Sequence, residues 1–163
     1  MPHLLIFGPG YTAGRLARRA ASQGWTPLLV NRSGTALPGL AAPVLAFDDI
    51  AAVRAALARA DAVLSSVPPA GDSDPVLARF APELNTSPAR WIGYLSSTGV
   101  YGDTQGAWVD ESSPLGAGRR GARMLADLAW QALHRDHGAP VHVFRLPGIY
   151  GPGRSALDRV RSG

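Results

Sequence analysis

The sequence contains neither cysteine nor lysine among its 163 residues. Without thiols, a disulfide framework and a thiolate metal site are both excluded. All 16 basic residues are therefore arginine, which binds anions well but keeps its proton near neutral pH and is a poor general acid or base. The arginines are scattered rather than clustered, which favours an ordinary solvated surface over a nucleic-acid interface.

Long hydrophobic runs are also missing. No apolar stretch approaches the roughly 20 residues that a membrane-spanning helix needs. The N-terminal run that ends at Phe7 is too short for a secretion signal, and no basic region precedes it. A length of 163 residues suits one domain with a real core. The composition therefore predicts a soluble, cytoplasmic protein that binds neither membranes nor nucleic acids.

Short apolar runs alternate with helical patterns along the chain. The runs predict strands near residues 4–7, 27–30, 44–47, 62–64, 91–95 and 141–144. Helical spacing predicts helices after the first strand, after Asp48 or Asp49, over Pro75 to Leu84, and from about Ala122 to Gly138. Continuous rather than alternating apolar strands indicate that both faces of the sheet are covered. The pattern predicts an α/β, Rossmann-like, doubly wound parallel sheet of about six strands with helices on both faces.

A glycine-rich segment, "GPGYTAG", joins the first strand to the first helix. It fits the G-x-G-x-x-G/A fingerprint of dinucleotide binding, in which the first glycine allows the tight turn and the second leaves room for a diphosphate. Free amides at the helix start, aided by the helix dipole, would face that anion. A plain glycine turn is the alternative. The residues predicted to surround the diphosphate are Gly8, Gly10, Tyr11, Thr12 and Ala13.

The end of the second strand should select the nucleotide. An acid there would bind the ribose 2′-hydroxyl of NAD, whereas arginine suits the 2′-phosphate of NADP. The strand ends in Asn31, Arg32 and Ser33, with no acid, so NADP is the preferred cofactor and NAD stays open. Arg32 as a mere surface residue is the alternative. Asp48 is a candidate for the adenine end or, equally, a helix cap.

Two later motifs carry a family resemblance. The segments "YLSSTGVYG" (94–102) and "FRLPGIYGPGR" (144–154) resemble motifs of the extended short-chain dehydrogenases/reductases, the NAD-dependent epimerase/dehydratase family. The resemblance covers essentially the whole chain, and the "GPGY" form of the glycine turn looks most like the atypical bacterial members. It implies hydride transfer at a sugar-like or other carbonyl substrate, and it adds Ser65, Ser96 and Pro147 to the expected cofactor contacts.

Members of this family typically use a serine or threonine, a tyrosine and a lysine. The resemblance places the serine at Ser97, and the tyrosine and lysine at Arg119 and Arg123. Arginine cannot replace tyrosine as a proton donor near pH 7. Arg123 could still supply the charge of the missing lysine, and the two arginines, one helical turn apart, could bind a phosphate or carboxylate. The alternative is a solvated helix end with Arg123 paired to Asp127.

The family also has a smaller C-terminal portion that selects the substrate. By this comparison residues 1–153 form the NAD(P)-binding domain and residues 154–163 begin a truncated substrate portion. An apolar flank of the sheet should then be exposed and favour homo-oligomers. An alternative function is a non-catalytic dinucleotide-binding or sensing module that acts through a protein partner. A third is a Rossmann-like domain with a vacant cofactor site.

Overall fold

The computed structural model describes residues 1–116 and 121–162. Within this part, one parallel sheet has the strand order β3-β2-β1-β4-β5-β6. The strands are β1 (His3–Phe7), β2 (Thr26–Asn31), β3 (Val44–Ala46), β4 (Ala62–Ser65), β5 (Trp91–Ser97) and β6 (Val141–Leu146). The helices are α1 (Tyr11–Ser22), α2 (Ile50–Leu57), α3 (Pro75–Thr86), α4 (Gly121–His137) and α5 (Ala156–Ser162), and a 3₁₀ helix covers Thr98–Tyr101. The predicted fold is confirmed.

The order of the strands reverses at β1. This strand pairs with β2 on one side and with β4 on the other, so Leu5 lies beside both Leu28 and Val63. Because all strands are parallel, their carboxyl ends lie at one edge of the sheet. In open α/β sheets that edge, at the point of reversal, is where ligands bind.

The two faces of the sheet are covered unequally. Helices α2, α3 and α4 pack on one face around the buried side chains of Phe7, Phe80 and Trp130. Helix α1 packs on the other face through small side chains, of which Ala13 and Ala17 are fully buried. Those alanines let the helix approach β1 closely, which places its first turn directly beside the end of that strand.

One edge of the sheet departs from the prediction of covered faces. On β6, Phe144 is 41% exposed, and His142 is exposed as well. The Trp91 ring lies over Gly93, where a Cβ atom would come within 2.2 Å of it, and its centroid is 6.0 Å from that of Phe144. The aromatic side chains at this edge, Trp91 and Phe144, are therefore only partly covered, and the exposed apolar flank stays a prediction.

The helix boundaries follow local signals. Asp49, rather than Asp48, caps α2 by accepting a hydrogen bond from the Ala52 amide at 3.1 Å. Gly24 and Gly138, the predicted stops, both follow their helices with positive φ angles. Over residues 1–116 and 121–162, no helix is both long and apolar enough to cross a membrane.

Candidate functional site

The glycine turn after β1 is held by both neighbouring strands. The Gly8 amide donates to the Val30 carbonyl of β2 at 2.9 Å, and the Gly8 carbonyl accepts from the Gly10 amide at 2.7 Å. The Ser66 hydroxyl, just past β4, also donates to the Gly8 carbonyl. Gly8 has a φ of +68°, and a Cβ atom there would lie 2.9 Å from Val67 Cγ2. The turn is thus fixed in a conformation that requires glycine at position 8.

The first turn of α1 leaves its amides available to a ligand. Gly10 occupies the N-cap position with no side-chain capping hydrogen bond, and the first turn contains no acid. The first amides of any helix lack intrahelical partners, and the helix dipole adds a partial positive charge there. Tyr11, Thr12 and Ala13 form this turn. The arrangement suits a bound phosphate group.

A two-lobed cleft opens on either side of this turn. The first lobe has a volume of about 520 Å³ and lies at the ends of β1, β2 and β4. The second lobe, about 460 Å³, lies at the ends of β5 and β6. Gly10 and Ser66 line both lobes. The cleft therefore has two compartments that meet at the start of α1.

The first lobe contains the predicted nucleotide selector. The Asn31 side-chain oxygen accepts hydrogen bonds from the amides of Ser33 (3.1 Å) and Gly34 (2.7 Å), and its NH₂ group donates to the Thr35 carbonyl at 2.8 Å. Asn31 thus shapes the loop that carries Arg32, which lines the lobe and belongs to none of the ion pairs in the described residues. Neither an Asp nor a Glu is among the described residues of this lobe.

Asp48 lies outside the lining found for the first lobe. Its exposed carboxylate forms an ion pair with Arg79 of α3. The Arg79 guanidinium also lies 5.1 Å from the centre of the Phe47 ring, and Phe47 does line the lobe. Asp48, the acid predicted for the adenine end, is therefore paired with Arg79 at the surface beside the cleft.

The second lobe brings Ser97 and Arg123 together. Ser97 ends β5, and its Oγ accepts a hydrogen bond from the Gly99 amide at 3.1 Å. Arg123, in the first turn of α4, donates from Nη1 to the Tyr94 hydroxyl at 3.0 Å. Pro147 lines the same lobe, whereas Arg119 lies outside the described residues. The suggested pairing of Arg123 with Asp127 is wrong, because Tyr94 takes the place of that partner.

Tyr94 is a rigid, neutral anchor for Arg123. Its ring is fully buried and stacks on Trp130 with 5.1 Å between ring centroids. The Trp130 indole N–H in turn donates to Asp74 at 3.0 Å, and Asp74 caps α3. Burial raises the pKa of the Tyr94 hydroxyl to about 12, against the opposing effect of the Arg123 charge. The phenol therefore stays protonated at neutral pH.

The raised pKa of Tyr94 predicts a pH-dependent contribution to stability. A folded-state pKa near 12, against the ordinary value of 10.0, means that the fold favours the neutral phenol. This contribution is complete below about pH 10 and is lost as the pH rises toward 12. Urea unfolding should therefore show the stability difference between the protein and Tyr94→Phe shrinking over that range. A difference that stays constant would contradict the assignment.

Asp127 is the centre of a buried polar network that sequence reasoning missed. It is fully buried and accepts hydrogen bonds from the Ser96 hydroxyl at 2.6 Å, from Gln131 at 2.6 Å and from Arg145 at 3.0 Å. Arg145 also donates to the Tyr101 hydroxyl at 2.9 Å, and its bonds to Asp127 raise its pKa further. Ser96, a predicted cofactor contact, lines the second lobe, but its hydroxyl donates its hydrogen bond to Asp127 of α4.

Two serines at the end of β4, Ser65 and Ser66, differ in whether they reach the cleft. Ser65 is fully buried, and its hydroxyl has no hydrogen-bond partner among the described residues. Ser66 lines both lobes and holds the glycine turn. The sequence prediction named Ser65, whereas Ser66 is the serine that reaches the cleft. The only signal that could have found it is its place one residue past a buried strand.

A curated bacterial protein is similar in sequence to this chain. No protein-family model matches the chain. Among curated proteins, YeeZ of Escherichia coli K12 is 31% identical over 94% of this chain and 61% of its own length. The chain thus spans less than two thirds of that relative.

Two solved structures have the same fold as this chain and related sequences. A conserved protein of unknown function from Silicibacter pomeroyi is 38% identical, with a TM-score of 0.78 over 100% of this chain and 58% of its own. A Methylobacillus flagellatus protein, provisionally assigned as an NAD-dependent epimerase/dehydratase, is 26% identical with a TM-score of 0.76, over 99% of this chain and 58% of its own. The chain shares the Rossmann-like fold of these two proteins.

A structure of this fold with lower sequence identity is an enzyme in complex with NAD. UDP-glucuronic acid 4-epimerase from Bacillus cereus, in complex with NAD, has a TM-score of 0.71 and 15% identity, over 96% of this chain and 60% of its own. At that identity the likeness concerns the fold alone. It shows that this arrangement of strands and helices occurs in a protein that holds NAD.

Proposed function

We propose that the protein binds NAD(P) in the manner of the epimerase/dehydratase proteins, with hydride transfer at a sugar-like or other carbonyl substrate as the ancestral chemistry. The observation that carries this proposal is the two-lobed cleft that meets at the glycine turn. A dinucleotide is two nucleosides joined by a diphosphate. The diphosphate would lie against the first-turn amides of α1, with one nucleoside in each lobe.

The residues of each lobe suit the part of the cofactor assigned to it. Arg32, which lines the first lobe, would contact the ribose 2′-phosphate, together with Ser33, which follows it in the loop but lies outside the lining found for the lobe. In the second lobe, Ser97, Arg123 and Pro147 would surround the nicotinamide. When bound, the group supplies a hydride donor or acceptor. Ser97 would orient a substrate oxygen through a hydrogen bond, and Arg123 would provide a fixed positive charge but no exchangeable proton.

By the family resemblance, Arg119 and Arg123 stand where a tyrosine and a lysine are expected, which supports a second candidate function. A non-catalytic dinucleotide-binding or sensing module would need the same cleft but no proton donor. UDP-glucuronic acid, the substrate named for the Bacillus cereus protein, is a suitable first probe of turnover. Turnover that is lost in Ser97→Ala favours the enzyme, whereas dinucleotide binding without turnover of this or other carbonyl substrates favours the module.

Arg32 should give the site a preference for NADPH over NADH. A charge-assisted contact to the 2′-phosphate contributes about 1.5–3 kcal/mol, or roughly a tenfold to hundredfold difference in Kd. Arg32→Ala should bring the two dissociation constants together, and fluorescence titration with each nucleotide measures both. Arg19→Ala, an exposed arginine in the last turn of α1, is the matched control. Equal affinities in the parent protein would refute the selector role.

A further inference from the structure

The second lobe is positively charged and lacks compensating acids. Arg123 and Arg154 both line it, and neither an Asp nor a Glu is among its described residues. The ion pairs found over residues 1–116 and 121–162 all involve other arginines. Apolar side chains, including Leu95 and Leu146, form part of the wall, so solvent screens the half-buried Arg123 charge less than the exposed Arg154 charge. The lobe therefore favours an anion.

Arg123 and Arg154 lie at different places in the second lobe. The Arg154 guanidinium lies 5.5 Å from the centre of the Tyr11 ring, and Arg15 lies 4.7 Å from the same ring. The Tyr11 hydroxyl donates to the Pro152 carbonyl at 3.1 Å, which ties the loop of Arg154 to the first turn of α1. Arg154 is thus located beside the amides assigned to the diphosphate. Arg123 lies on another element, at the start of α4.

Arg123 is positioned to bind an anion other than the cofactor diphosphate. Its hydrogen bond to Tyr94 uses one of the five N–H groups of the guanidinium and fixes its position. The partner is a neutral phenol, so the bond leaves the charge of Arg123 in place. A half-buried guanidinium with donors remaining matches the planar, two-oxygen geometry of a carboxylate or phosphate.

We infer that the second lobe takes an anionic substrate, one that carries a carboxylate or a phosphate group bound by Arg123. This inference rests on the proposed function, because it assumes that the dinucleotide diphosphate occupies the amides of α1. It deepens that function by naming the substrate class. A neutral substrate would leave the charge of Arg123, whose bonding partner Tyr94 is itself neutral, without a counter-charge in the lobe.

The test uses the protein saturated with NADP, so that the α1 amides are already occupied. Inorganic phosphate and acetate are titrated separately into this complex at constant ionic strength and followed by calorimetry. We expect millimolar binding of at least one anion and at least about tenfold weaker binding in Arg123→Gln. The stronger of the two anions distinguishes a phosphate from a carboxylate substrate. Arg135→Gln, an exposed arginine at the other end of α4, should leave the affinity unchanged.

A second variant covers the case in which Arg123→Gln does not fold. Arg123→Lys keeps the charge but loses the forked donors, so it should bind the anion severalfold more weakly than the parent. Failure of the NADP complex to take up either anion, or an equal affinity in the Arg123 variants, would overturn the inference. Failure of NADP itself to bind would instead overturn the proposed function. The anion titrations of the same variants would then be made on the free protein and would decide the role of Arg123 separately.

Discussion

Replacing Asp127 with alanine should lower the free energy of unfolding by about 3–5 kcal/mol. The carboxylate is fully buried and accepts hydrogen bonds from Ser96 of β5, Arg145 of β6 and Gln131 of its own helix. Its removal leaves the Arg145 guanidinium, with only 13% of its side chain exposed, without its ion-pair partner. Urea unfolding followed by circular dichroism measures the loss.

A substitution in an exposed ion pair is the control, because it distinguishes the effect of burial from that of ion pairing alone. Asp136, also on α4, forms an exposed bidentate pair with Arg135, so Asp136→Ala should change the free energy of unfolding far less than Asp127→Ala does. In a double-mutant cycle, adding Arg145→Met to Asp127→Ala should recover part of the loss, because no uncompensated charge remains. Equal losses for Asp127→Ala and Asp136→Ala would show that the network contributes no more than a surface pair.

Replacing Gly8 with alanine should raise the Kd for the dinucleotide by at least about tenfold. A side chain at positive φ costs roughly 1–2 kcal/mol, and here its Cβ would lie 2.9 Å from Val67 Cγ2 and 3.2 Å from the Val67 amide nitrogen. The turn must shift to relieve this contact. Because both lobes meet at the turn, the shift displaces the α1 amides from the cleft. Titration with NADPH, alongside thermal unfolding, measures the effect.

Gly14→Ala is the control for the Gly8 substitution. Gly14 lies in α1, and a Cβ atom there would meet the Pro9 carbonyl at an ordinary 3.9 Å. Alanine should therefore raise the stability by up to about 1 kcal/mol through helix propensity and leave the Kd unchanged. If Gly8→Ala binds NADPH as tightly as the parent, the glycine turn is not the platform for the diphosphate.

Much of the fold could be predicted because its signals are local. The strands are short apolar runs, the helix after β3 begins at an aspartate, and α4 ends before Gly138. Each signal involves residues close together in the chain, so spacing alone reveals it. The glycine turn belongs to this class, since it lies between the first strand and the first helix.

The partners of the charged residues could not be predicted in the same way. Spacing by four positions suggested that Arg123 pairs with Asp127, yet Arg123 bonds to Tyr94 of β5 and Asp127 bonds to Arg145 of β6. Both partners come from strands that pack beneath α4, and a single helical pattern contains no information about them. The same holds for Ser66, whose bond to Gly8 spans 58 positions in the sequence.

The support of the glycine turn by two strands has a kinetic consequence. The bonds from Gly8 to Val30 and from Ser66 to Gly8 fix the turn through the protein's own residues, so a nucleotide that binds as proposed would meet an ordered turn. Encounter, and not rearrangement of the turn, should then set the association rate constant. Nucleotides of different affinity would arrive equally fast and differ in how long they stay.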